Sequence, residues 1–233
     1  MKRQGLGIWG WRLGTLLGLG LLVVSSAAFA RDPRAAAGEE YPTIIVIIHN
    51  YGRVPGGTLD EAKAATTRIL ALAGVKTAWQ ESPGPVTGSA SSTAFRRRAN
   101  GVEINLHLIP RAMAVRLPSD KLCLGLSILP GGDKRGDIAY VFCHRVEDLA
   151  GNGDASAGQI LGHAMAHEIG HLLLNSSAHS PVGIMQGEWD KRELTHLQAG
   201  RLLFTSEQSH LMRAEVLARQ TGIGISQATT TQN

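Results

Sequence analysis

Thr43 to His49 reads TIIVIIH, an unbroken run of mostly β-branched residues, which predicts a buried strand. Four further strand-like segments follow: Val75–Gln80, Val102–Ile109, Leu122–Leu129 and Ile138–His144. Pro110 and the Gly131-Gly132-Asp133 turn separate three of them. Between the first two strands, Leu59 to Ala73 predicts a helix stopped by Gly74. Thr58 stands before it with Glu61 three residues on, a capping-box spacing. Strand, helix, strand reads as a right-handed parallel crossover. Ser156 to Leu174 carries the strongest helical pattern, 181–188 is irregular, and Thr205 to Gln220 predicts a closing helix. The fold class expected is therefore α/β: a twisted mixed five-stranded sheet with helices against it, a small C-terminal lobe, and a cleft between the two.

The ends of the chain fall outside this pattern. Lys2, Arg3 and Arg12 precede and flank an apolar stretch from Leu13 to Val24, and small residues lead to Ala28-Phe29-Ala30. That is the layout of a secretory signal peptide, with cleavage expected after Ala30 and no stable membrane association afterwards. The apolar stretch is short for a bilayer span of about 20 residues. Residues 31–42 read as a leader, 43–220 as the folded domain, and the Thr/Gln-rich 221–233 as a disordered tail. Removing Lys2, Arg3 and Arg12 lowers the formal charge from +4 to +1. The basicity is thus partly a targeting signal and makes no case for a nucleic-acid partner. The run Arg96-Arg97-Arg98 reads as a solvated turn. Cys123 and Cys143 are the two cysteines, and an exported chain is expected to join them in a disulfide.

The chemistry concentrates in the long predicted helix. His167-Glu168-Ile169-Gly170-His171 is an H-E-x-x-H segment. Residues four apart share a helix face, so His167 and His171 can meet one ion, and imidazole nitrogen suits Zn2+. Glu168, next to the first histidine, is the candidate general base for a water activated by the metal. A catalytic zinc usually takes a third protein ligand and keeps a position open for water. His163 cannot supply it, because it stands about 12 Å from His171 along the axis and reads instead as a core or supporting residue. Asn175 tolerates the left-handed conformation that ends a helix, and the chain can turn there to place His179 opposite. Glu188 or Glu193 is the carboxylate alternative. Trp189 reads as a packing residue, and His49, His107, His144, His196 and His210 as surface or structural histidines.

His167 to Met185 reads HEIGHLLLNSSAHSPVGIM, and this stretch resembles the active-site region of the metzincin clan of zinc peptidases. The resemblance implies a metzincin-like fold around an active-site helix. It implies His167, His171 and His179 as zinc ligands, Glu168 as base, and Met185 as the methionine of the turn beneath the metal. His179-Ser180 is similar to the His-Ser of matrixin-like members. Leu174 and Ser177 stand where the clan pattern has its glycine and third histidine, so using His179 takes two extra residues in the turn. No tyrosine follows Tyr140, whereas some members carry one after the methionine turn.

The function expected is a secreted zinc-dependent endopeptidase, a hydrolase whose partner is a peptide or protein substrate. Two alternatives stand beside it: a secreted module that keeps zinc but has lost catalysis, and a metal-dependent amidase of cell-wall material. Oligomeric state has no signature in the sequence.

Overall fold

The computed structural model describes residues 41–82, 101–118, 123–131, 134–151, 153 and 155–221. The expected signal peptide, most of the leader, the 221–233 tail beyond Thr221, and Arg96–Arg98 lie outside those residues. Among the described residues no helix is long and apolar enough to cross a membrane.

The chain runs β1 (Thr43–Asn50), α1 (Gly56–Leu72), β2 (Lys76–Glu81), β3 (Val102–Ile109), α2 (Arg111–Ala114), β4 (Gly125–Ile128), β5 (Ile138–Phe142), α3 (Cys143–Ala150), α4 (Ala157–Leu174), α5 (Lys191–Gln198) and α6 (Ser206–Thr221). The five strands form one mixed sheet in the order β2-β1-β3-β5-β4. β1 pairs in parallel with β2 and β3, and β3 with β5, while β4 runs antiparallel to β5 along the sheet margin. The α/β class and the five strands expected from the hydrophobic pattern are present.

Alternation along the strands divides the sheet into two faces. Ile44, Val46 and Ile48 of β1 are buried in the main core with Ile104, Leu106 and Leu108 of β3 and Ala139 and Val141 of β5. The same core takes in α1 and α4. Ile109 and Phe142 belong to a smaller second cluster with Ala114. α1 and α4 approach closely because small residues face each other. A β-carbon at Gly162 would come within 2.6 Å of the Ala62 carbonyl and 2.7 Å of the Ala65 side chain. At that crossing the Thr66 hydroxyl lies 2.9 Å from the carbonyl oxygens of both Ala62 and Gly162.

Three expectations need correction. α1 begins at Gly56 behind Pro55 with no side-chain cap, so Thr58 lies inside the helix and caps nothing. Glu61, the other half of the expected box, instead accepts a 2.7 Å hydrogen bond from Ser156 at the start of α4. The fifth strand stops at Phe142, because Cys143 opens α3 with Cys143 and Val146 buried three residues apart. That helix also accounts for the third correction: no disulfide joins Cys123 and Cys143. Cys143 packs in the main core with its sulfur against Gly52. Cys123 packs against the second cluster and receives a 3.1 Å contact from Arg145 Nη1.

Candidate metal centre

α4 begins with a reciprocal cap. The Ser156 hydroxyl accepts from the Gln159 amide at 3.0 Å, and the Gln159 side chain accepts from the Ser156 amide at 3.5 Å. The helix then runs buried on nearly every side, from Ile160 through Leu173. Four polar side chains, His163, His167, Glu168 and His171, sit in this core at 1%, 8%, 5% and 6% exposure. Burial of such groups is costly unless each is hydrogen-bonded or shares an ion. α4 ends at Asn175, which takes φ 47° and ψ 42° and turns the chain back.

The segment after that turn supplies what the helical histidines need. His167 Nδ1 lies 2.7 Å from the carbonyl oxygen of Ile184, and His171 Nδ1 lies 2.7 Å from that of Ser176. A carbonyl only accepts, so both Nδ1 atoms carry the proton and both Nε2 atoms present lone pairs. Those two Nε2 atoms face each other at 3.0 Å. Two lone pairs at that distance repel unless a cation occupies their focus. His179 joins them: its ring centroid is 5.4 Å from that of His167 and 5.1 Å from that of His171. The ligand atoms of all three lie within 4.8 Å of one another, with His179 exposed. Among the described residues this is the one such group of histidine, cysteine or acidic side chains.

The donor set fits zinc. Nitrogens bound at 2.0–2.1 Å to a tetrahedral ion stand roughly 3.3 Å apart. The buried pair, at 3.0 Å, is near that spacing, and the His179 ligand atom lies within 4.8 Å of both. Burial first, then the neighbouring rings, pushes His167 down to about 3, and burial lowers His171 as well. Both are therefore neutral, the state in which imidazole binds a metal. Burial pushes the Glu168 carboxyl up to about 8, opposed by a hydrogen bond from Ser127.

Met185 lies fully buried under α4, where a β-carbon on Gly170 would come within 2.7 Å of its sulfur and 2.7 Å of the Phe204 ring. The turn that carries it is closed by Ser180 N–H to the Met185 carbonyl at 2.8 Å, with Ile184 N–H donating to Leu203 at 2.9 Å and Gly183 at φ +77°. The same turn thus seats Met185 against the helix and presents the Ile184 carbonyl that orients His167.

The alternative ligand Glu193 is not in the group. It is buried on α5 with Arg192 at 3.0 Å and Gln186 at 3.2 Å. Glu188 lines the adjoining cavity instead. His163 is buried with Nδ1 on the Gln159 carbonyl at 2.8 Å. His49 and His107 stack at 4.3 Å on the sheet, away from the group.

A cavity of about 540 Å3 opens beside the histidines. Leu124 and Leu126 from the β4 side, Leu149 of α3, Ala164 of α4 and Trp189 supply its apolar walls, and Glu168 lies at its lining. Trp189 does more than pack, since it lines this space and meets the His167 ring edge-on at 5.9 Å. Sequence reasoning also missed Ser127, which bonds Glu168, and Gly187, whose missing side chain leaves room for the His179 ring. Neither carries a motif. Both are brought to the site by tertiary contacts from segments of irregular or edge structure.

No protein-family model and no curated protein matches this chain. Among solved structures it is similar to the crystal structure of archaemetzincin from Methanopyrus kandleri, with 14% identity and a TM-score of 0.41 over 78% of this chain and 99% of that one.

Proposed function

We propose that this chain is an exported zinc-dependent endopeptidase. The observation that carries the reading is the convergence of three imidazoles on one point, beside the buried Glu168 carboxyl that lines a cavity of about 540 Å3. His167, His171 and His179 would hold the ion, leaving one side open to the cavity. Zinc, when bound, supplies Lewis acidity toward a carbonyl and a water molecule. Glu168 would accept a proton from the attacking water and pass it to the leaving amine. The Ile184 carbonyl keeps the first histidine in its orientation.

Substrate selection rests on the sheet margin. Among the described residues β4 has a neighbour on one side alone, and its residues line the cavity, so an extended peptide can pair with its outer backbone edge. Leu124, Leu149 and Trp189 then favour an apolar side chain beside the cleaved bond. Export follows from the signal-like residues 1–30, with cleavage after Ala30 and residues 43–220 as the catalytic domain. No feature of the site favours nucleic acid as a partner.

The test is a peptide-library digest by metal-replete protein, with and without a chelator, run beside Glu168→Ala. Cleavage should vanish with the chelator. The variant should keep one zinc per chain and lose turnover by about 10²- to 10⁴-fold, the usual contribution of a positioned base. Purified protein without stoichiometric zinc, or a variant of undiminished turnover, overturns the reading.

A further inference from the structure

The base has an anchor outside its own helix. The Ser127 hydroxyl of β4 lies 2.6 Å from Glu168 Oε2 and 2.9 Å from the Glu168 carbonyl oxygen. A hydroxyl has one proton to give, and the shorter of its two contacts is the one to Oε2. Two residues earlier on the same strand, Gly125 faces the other oxygen: a β-carbon there would come within 2.5 Å of Oε1, 2.6 Å of Cγ and 2.6 Å of the Tyr140 carbonyl oxygen on β5. The absent side chain is what leaves Oε1 its place. Among the described residues no hydrogen bond holds Oε1. Residues 125 and 127 point to the same face of a strand, so β4 grips the carboxylate at two points, one by a bond and one by making room.

We infer that Ser127 is a positioning residue that pins Oε2 of Glu168, so that Oε1, seated against Gly125, is the oxygen that exchanges protons with water and the leaving group. The inference rests on the proposed role of Glu168 as base. It adds that the strand expected to bind substrate also sets the base, so the carboxylate and the peptide backbone are positioned by the same four residues, Gly125 to Ile128.

Ser127→Ala removes the hydroxyl, and Ser127→Thr keeps it. Zinc content and zinc affinity, measured by competition with a chromophoric chelator, should stay within about twofold in both, because neither oxygen of Glu168 is a ligand. In Ser127→Ala, kcat should fall about 10- to 100-fold, the usual effect of removing a supporting hydrogen bond at a metal site, with KM within about twofold. Ser127→Thr should recover most of the loss. Crystal structures of the wild type and Ser127→Ala give a readout independent of turnover: the Glu168 carboxylate should leave its position between residues 125 and 127.

Unchanged kcat in Ser127→Ala, an equal loss in Ser127→Thr, or a carboxylate that keeps its place without the hydroxyl overturns the inference. If wild-type protein holds zinc and cleaves no peptide, the peptidase reading fails. The crystallographic comparison still decides whether Ser127 seats Glu168.

Discussion

The three histidines are held by two stretches of chain that work by different means. On α4, His167 and His171 are placed by helical spacing, and burial on all sides leaves them little freedom. Each has its Nδ1 tied to a carbonyl. His179 rides on the irregular segment between Asn175 and Trp189; it is exposed, and no hydrogen bond among the described residues fixes its ring. What orients it is packing: the Gly187 backbone lies so close that a β-carbon there would approach His179 Nδ1 to 2.8 Å. One stretch is pre-organised before any ion arrives. The other would be tied down only by sharing an ion. The helix sets where the site is, and the loop sets how well it closes.

The comparison breaks or sharpens first at the ligands. Structural zinc sites of four ligands bind with apparent free energies of ~10–16 kcal/mol, or roughly 3 kcal/mol per ligand, about a hundredfold in affinity. His171→Ala should cost at least that much, because it also leaves a buried space and frees the Ser176 carbonyl. His179→Ala should cost less, since part of its contribution offsets the ordering of an exposed side chain. Zinc affinity by chelator competition checks both. Equal losses in the two variants would mean that the loop is as pre-organised as the helix. Next in size is Gly187→Ala, whose new methyl pushes the His179 ring aside. It should weaken zinc about tenfold while leaving the thermal midpoint of the metal-free protein unchanged, because Gly187 is exposed. A loss of fold without a loss of affinity would refute the seat.

The same division explains what could be read from the sequence. The spacing of His167 and His171 is helical geometry, and the run from Ile160 to Leu174 made the helix plain, so the buried histidine pair and Glu168 were legible together. Asn175 marked the turn, since few residues other than glycine accept φ 47°. His179 was legible through a family pattern whose spacing it does not obey, and the left-handed turn one residue past Leu174 shows where part of the extra length goes. Ser127 and Gly187 were not legible, because a serine in a strand and a glycine in a loop acquire their meaning from what tertiary packing sets against them. Short helices were lost for a related reason. CHRVEDLA and KRELTHLQ are eight residues each, about two turns, too few to establish a period against strand-like neighbours. The disulfide was inferred from compartment, and compartment says nothing about which cluster a thiol joins. Glu61 looked like half of a local cap, yet its partner is Ser156, 95 residues away.

Ser156 gives the smallest effect and the sharpest separation of the two regions. Its hydroxyl accepts from the Gln159 amide and donates to Glu61, so Ser156→Ala frees one N-terminal amide and one exposed carboxylate. The loss should be about 1 kcal/mol of unfolding free energy by urea titration, the usual cost of an N-cap. The exposed Glu61 contact adds little. Zinc affinity should stay within about twofold, because His167 lies three turns along a helix held by burial, and fraying at one end does not reach it. If the cap variant loses zinc affinity in proportion to stability, α4 is not formed before the ion binds. The contrast between a pre-built helix and an adaptable loop would then have to be replaced by one cooperative, metal-coupled unit.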